Sequence, residues 1–375
     1  MMDINKYLTR YTILHEPKYD RFGKIIKGFP QEIDGKYSSN FVEIYSTFIF
    51  PRRIKLNGKQ YIIIDHHFEN LFAHYSSAYL CAVKRLEVDI DSEYLKHIMK
   101  SIIMISQASL QEEIPGLALS FVQEYVDSGA VLGKYDSLLH LFGKDTPLNE
   151  TEIFSNMFTI LHEIGHIRYN DLQGNENGFL GFQDMLKSVT SFDASESGQN
   201  IRDMLMALKA GDKTNVEELY CDFVAVLEII DIIEKVFGSN MSSLEKTTIT
   251  IESIMLSIGF QALLIQNKLY WQSLYYQYQN MKERTEKVQE TIQKKFSQLQ
   301  VRGTFLYTLA HELVCKKHNM DDTKSYFAKS SAFDDASFEM FHFYSDRILG
   351  RALWNEQHYS IEEMKKIRNQ LLGWN

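Results

Sequence analysis

The chain has 375 residues, 45% of them hydrophobic, a formal net charge of −9 and three cysteines, Cys81, Cys221 and Cys315. That length builds a substantial core without covalent staples, and scattered cysteines with no CxxC pair exclude a disulfide framework and a thiolate zinc finger. The acidic balance argues against generic binding to a phosphate backbone, so no nucleic-acid partner is expected.

The first twenty residues carry no continuous apolar segment and do not read as a signal peptide. From about residue 8 to 65 the pattern is β-like, with Tyr11–Leu14, Phe41–Tyr45 and Tyr61–Ile64 as strands. Asn57-Gly58, between Ile54–Leu56 and Tyr61–Ile64, predicts a hairpin turn. Helical periodicity takes over from about 66 to 110. All five prolines lie before residue 148, and from Asn149 onward almost every segment reads as amphipathic or buried helix. The expected fold class is α+β, predominantly α-helical, with a small β-rich N-terminal portion.

The next element is a helix over 149–169. Pro147 ends what precedes it, Asn149 can cap it, and Glu152 stands at the capping-box position. It carries LHEIGH, in which His162 and His166 stand one turn apart on one face, so both imidazoles can grip one metal. Glu163 is rotated about 100° from His162 and can reach a metal-bound water as general base.

Residues 170–214 turn polar and read as a surface excursion, a natural gate, with short helical candidates at Phe182–Val189 and Ile201–Ala210. A catalytic zinc needs a third protein ligand. An extended HExxHxxGxxH pattern fails, since Tyr169 and Leu172 stand where its glycine and third histidine belong. The helix 215–236 offers Glu218 as ligand and, one turn on, Asp222 to accept the second ring N–H of a ligand histidine. Glu217 is the rival ligand. Phe223, Val226, Leu227 and Ile230 form the apolar stripe that would anchor this helix.

The apolar run Ile254–Ile265 is interrupted by Ser257, Gly259 and Gln261 and reads as too short to span a bilayer, so no membrane partner is expected. A long helical pattern over Lys268–Gln300 carries Tyr270, Trp271, Tyr275, Tyr276 and Tyr278, which read as helix-packing residues. His311 and His342, with His318 and Tyr220 behind them, are candidates to stabilise charge developing on a substrate carbonyl. Asp65, His66, His67 and His74 read as capping and packing residues after a strand.

His162-Glu-Ile-Gly-His166 followed by Glu218-Leu-Tyr-Cys-Asp222 resembles the gluzincin arrangement of zinc peptidases. Among gluzincins, a mostly helical chain with a β-rich start is similar to the Lit-type phage-exclusion peptidases, and more distantly to ImmA-like and membrane-linked peptidases. The resemblance implies a zincin-like core over 66–240, flanked by the β-rich portion 1–65 and a helical region 241–375. It implies Zn2+ as cofactor, held by His162, His166 and Glu218, with Glu163 as base. It further implies a cytoplasmic endopeptidase acting on a protein or peptide substrate, in phage defence or stress response, with an activating partner as one mode of control. By analogy of fold, Tyr61–Ile64 is the strand on which an extended substrate would pair. About fifty residues separate the two motifs here, more than in the Lit-type proteins. The competing expectation is a non-catalytic interaction protein with a vestigial or structural metal site.

Overall fold

The structure, a computed structural model, describes residues 41–44, 51–65, 68, 72, 75–76, 114–132, 147–172, 213–310, 313 and 348–372. Its strands are β1 (Phe41–Ile44), β2 (Arg52–Leu56) and β3 (Lys59–Asp65). Its named helices are α1 (Pro115–Leu132), α2 (Pro147–Leu172), α3 (Lys213–Phe237), α4 (Ser243–Tyr278), α5 (Lys282–Ala310) and α6 (Ile361–Leu372), and residues 348–358 are also helical. The expected helix-dominated α+β class matches these elements. The strand expected at Tyr11–Leu14, the short helices within 173–212, and most of the helical stretch from 66 to 110 lie outside the described residues.

Asn57 and Gly58 turn the chain with φ of 52° and 80°, the left-handed pair that a two-residue hairpin with right-handed strand twist requires. The hairpin sets β2 antiparallel to β3, while β1 lies parallel on the far side, giving the order β1-β3-β2. β3 is therefore central. Its Ile62, Ile63 and Ile64 are all buried, as both faces of a covered strand demand. Phe68, Phe72 and Tyr75, at helical spacing after β3, pack edge-on or tilted around Phe260 of α4.

α2 starts at Pro147, not after it, so Asn149 lies inside the helix and does not cap it. Proline suits a first helical position because its φ is pre-set and its missing N–H has no partner there anyway. Phe154, Met157, Phe158, Leu161 and Ile164 form one buried stripe and, with β3, α3, α4 and α5, enclose a single core. α3 packs closely along α2. A Cβ on Gly165 would meet the Cys221 Cα at 2.7 Å, so only glycine allows that approach. Along α3, Val226 is fully buried and Phe223 and Ile230 pack against the core, but Leu227 is 40% exposed. The stripe turns with the 3.6-residue period and leaves Leu227 on the outer face.

α4 opens with a capping box: Ser242 Oγ accepts from the Glu245 N–H at 3.2 Å, and Glu245 Oε2 accepts from the Ser242 N–H at 2.9 Å. This helix has 36 residues and by length and composition could cross a membrane, contrary to the short run seen in sequence. In the fold, 67% of its most apolar 18-residue stretch is buried. Small hydroxyl residues let it lie against α2, with Thr159 and Ser257 oxygens 2.6 Å apart and Ser253 donating to the Thr151 carbonyl at 3.2 Å.

The single helix expected over 268–300 is two helices. Asn280, at φ 52°, reverses the chain between α4 and α5, as asparagine tolerates the left-handed region best after glycine. Trp271, Tyr275 and Tyr276 are buried in a second core with Phe121, Ile348 and Leu349, whereas Tyr278 is 56% exposed at the reversal. The expected boundary at 240 falls between α3 and α4, yet the main core runs across it into α4 and α5.

Candidate metal centre

Helical pitch places His162 and His166 side by side, with ring centroids 5.0 Å apart. α3 crosses their face and delivers Glu218 between them. Glu218 Oε2 lies 3.2 Å from His162 Nε2, and Oε1 lies 3.6 Å from His166 Nε2. One ligand atom from each of the three falls within 4.8 Å of the others. Ligands on a tetrahedral zinc, at bonds of about 2.0–2.2 Å, are about 3.4 Å apart, and the two Glu218–histidine distances of 3.2 and 3.6 Å bracket that spacing.

The other ring nitrogens are engaged. His162 Nδ1 donates to Asp222 Oδ1 at 2.8 Å and His166 Nδ1 to Glu217 Oε1 at 2.8 Å. Both Nε2 atoms are thereby directed at Glu218 with one tautomer favoured, as metal-ligand histidines require. This geometry separates the two adjacent glutamates: Glu218 faces the cluster, and Glu217 backs a histidine. The expected Asp222–His162 contact is present.

Two arginines complete the arrangement. Arg302 of α5 clamps Asp222 with Nε to Oδ2 and Nη2 to Oδ1, both at 2.8 Å, and its Nη1 lies 3.4 Å from Glu218 Oε2. Arg53 of β2 donates to the His166 carbonyl at 3.3 Å and approaches Glu217 at 3.6 Å. Its main-chain N–H is bonded to the Glu163 carboxylate. Sequence reading missed both arginines. The available signal for Arg302 is a cation in register with Phe305, Leu306 and Leu309, the buried stripe of an otherwise polar helix.

The electrostatics follow from these contacts. Burial raises the Glu163 carboxyl above its ordinary value, against the lowering pull of His166 and His162. Burial would also raise Asp222 and Glu218, but the neighbouring cations win. The Arg302 and His162 charges and hydrogen bonds lower Asp222, and the His162 hydrogen bond with the His162, Arg302 and His166 charges lowers Glu218. For His162, burial and Arg302 lower the pKa, but Asp222 and Glu218 raise it further, to about 9 in the metal-free protein.

Tyr220, a secondary candidate for charge stabilisation, is buried in the core with its ring 5.5 Å from Tyr169. His311, His342, His318, His66, His67 and His74 lie outside the described residues. The pairing strand expected at Tyr61–Ile64 is corrected by the sheet order: β3 is flanked on both sides, and β1 and β2 are the edge strands among the described residues. With Leu56 and Ile54 opposite Lys59 and Tyr61 in the hydrogen-bonded positions of a two-residue hairpin, the main-chain groups of Arg53 and Lys55 point away from β3. The Arg53 N–H uses that direction to reach Glu163.

The class these features define is a helix-dominated α+β protein with an HExxH helix, a partner carboxylate helix and a small sheet at their side. No family model matches the chain, and no curated protein or solved structure shows significant similarity to it.

Proposed function

We propose that the protein is a zinc-dependent endopeptidase with a zincin-like core, in which His162, His166 and Glu218 hold the metal. The observation that carries this reading is the convergence of two Nε2 atoms and one carboxylate, with each Nδ1 already committed to another carboxylate. Charge supports it as well. Glu217, Glu218 and Asp222 face the guanidiniums of Arg53 and Arg302, and Glu163 accepts from the Arg53 main-chain N–H; with all four carboxylates ionised and both imidazoles neutral, a divalent cation balances the remainder.

The chemistry a zinc ion supplies when bound is Lewis acidity towards a carbonyl oxygen and acidification of water near neutral pH. Glu163 takes the proton of the attacking water and delivers it to the departing amine. Its position beside His162 and its raised pKa suit a group that must both accept and release a proton. Asp222 and Glu217 hold the imidazoles in the ligating tautomer. An extended substrate pairs along the outer edge of β2, where the Lys55 main-chain groups point away from β3 and the Arg53 N–H is already taken by Glu163.

Purified wild type and Glu163→Gln are compared for zinc content and for cleavage of cellular proteins. Zinc in both with cleavage by wild type alone is expected, with a loss of at least about 100-fold for the variant. Equal cleavage by both, or no stoichiometric zinc in wild type, overturns the proposal; zinc without any cleavage favours a structural metal site in an interaction protein. Lys55→Pro, which removes an outward N–H that β3 does not use, is expected to slow cleavage with zinc retained.

A further inference from the structure

His162 has protein on both sides of its ring, and the same guanidinium borders both. Behind Nδ1, Asp222 is 0% exposed, and the two-pronged bond from Arg302 occupies both of its oxygens. In front of Nε2, Glu218 Oε2 lies 3.2 Å from the ring and 3.4 Å from Arg302 Nη1. Arg302 itself is 9% exposed and is held by the stripe that buries Phe305, Leu306 and Leu309. A carboxylate that accepts from one ring N–H alone can swing about its own χ angles; a carboxylate gripped by a planar fork cannot.

We propose that Arg302 is a positioning residue for the metal ligands, fixing the direction of His162 through Asp222 and the direction of Glu218 by direct contact. This inference rests on the zinc reading of the same cluster. Metal affinity thus depends on α5, an element that supplies no ligand and comes from the region beyond the two motif helices. Arginine is suited to the task and lysine is not, because an ammonium group is a point charge without the fixed fork.

The test is zinc affinity of the full chain, measured by competition with a chromogenic chelator well below the unfolding temperature. Arg302→Met is expected to bind zinc about 10–100-fold more weakly, the range for loss of a residue that orients a ligand. Arg302→Lys recovers only part of the loss, and the cobalt-substituted protein shows a shifted ligand-field spectrum in both variants. Should Arg302→Met fail to fold, Arg302→Lys and the paired Asp222→Asn/Arg302→Met, which leaves no buried unpaired charge, carry the same comparison. Arg351→Met serves as a control, since the Arg351–Glu124 pair at 2.8 Å joins helix 348–358 to α1, neither of which supplies a residue to the cluster, and should affect stability only. Wild-type zinc affinity and an unchanged cobalt spectrum in the folded Arg302 variants overturn the inference while leaving the zinc site standing. Absence of zinc binding in wild type removes both.

Discussion

The core around α2 and α3 and the second core around Trp271 both bury polar side chains, but they use them differently. Near Trp271 several polar side chains pair donor to acceptor. The Asn355 amide donates to Ser120 at 2.9 Å, Glu356 accepts from the Tyr275 hydroxyl and, at 2.9 Å, from Gln279, and Arg351 meets Glu124. Around His162 the outer contacts pair in the same manner, yet their effect is to turn three potential metal donors towards one point. Buried polarity alone therefore does not mark a site; convergence of acceptors does.

Substitutions in the two regions should separate these roles, and the largest effect belongs to the cluster. Glu218→Ala is expected to abolish stoichiometric zinc, read by elemental analysis, whereas Glu217→Ala should keep zinc at roughly 10–100-fold lower affinity; the reverse pattern would exchange their roles. Trp271→Ala should cost about 3–5 kcal/mol of stability in denaturant titrations and leave the zinc affinity of the folded protein unchanged. A loss of affinity there would join the two regions that the comparison holds apart. Gly165→Ala drives a methyl group into Cys221 and should cost about 1–3 kcal/mol, with weaker zinc binding because α2 and α3 must separate. Retained stability would show that the helices can shift at no cost.

The smallest expected effect is on pH dependence. His162 has an unfolded value near 6.5 and a folded value of about 9 without metal. Its contribution to metal-free stability is fully present below 6.5 and is lost as pH rises through 9. Zinc requires the neutral imidazole, so its stabilising effect should grow over the same window. Thermal melts between pH 6.5 and 9 should show the metal-free melting temperature falling as the zinc-induced increment rises. Increments independent of pH would exclude His162 as the ligand.

Local features were legible where they depend on neighbours in sequence. The Asn57-Gly58 turn, strand β3, the helical face shared by His162 and His166, and the Glu218–Asp222 spacing all follow from periods of two or 3.6 residues and from left-handed turn chemistry. Boundaries were harder. Pro147 reads equally as the end of one segment or the first residue of the next, and the break at Asn280 lies within a pattern that remains helical on both sides.

By itself the sequence determined the helix-dominated class, the HExxH face and the candidate ligand set, because a helix surface follows from residue spacing alone. Only tertiary structure decided which carboxylate backs which histidine, which strand lies at the centre of the sheet, and that Arg53 and Arg302 enter the cluster. Those facts join residues 53, 166 and 217, and residues 162, 222 and 302, through contacts between separate elements. Periodicity reports the face of one element; the element it meets is set by how the whole core packs.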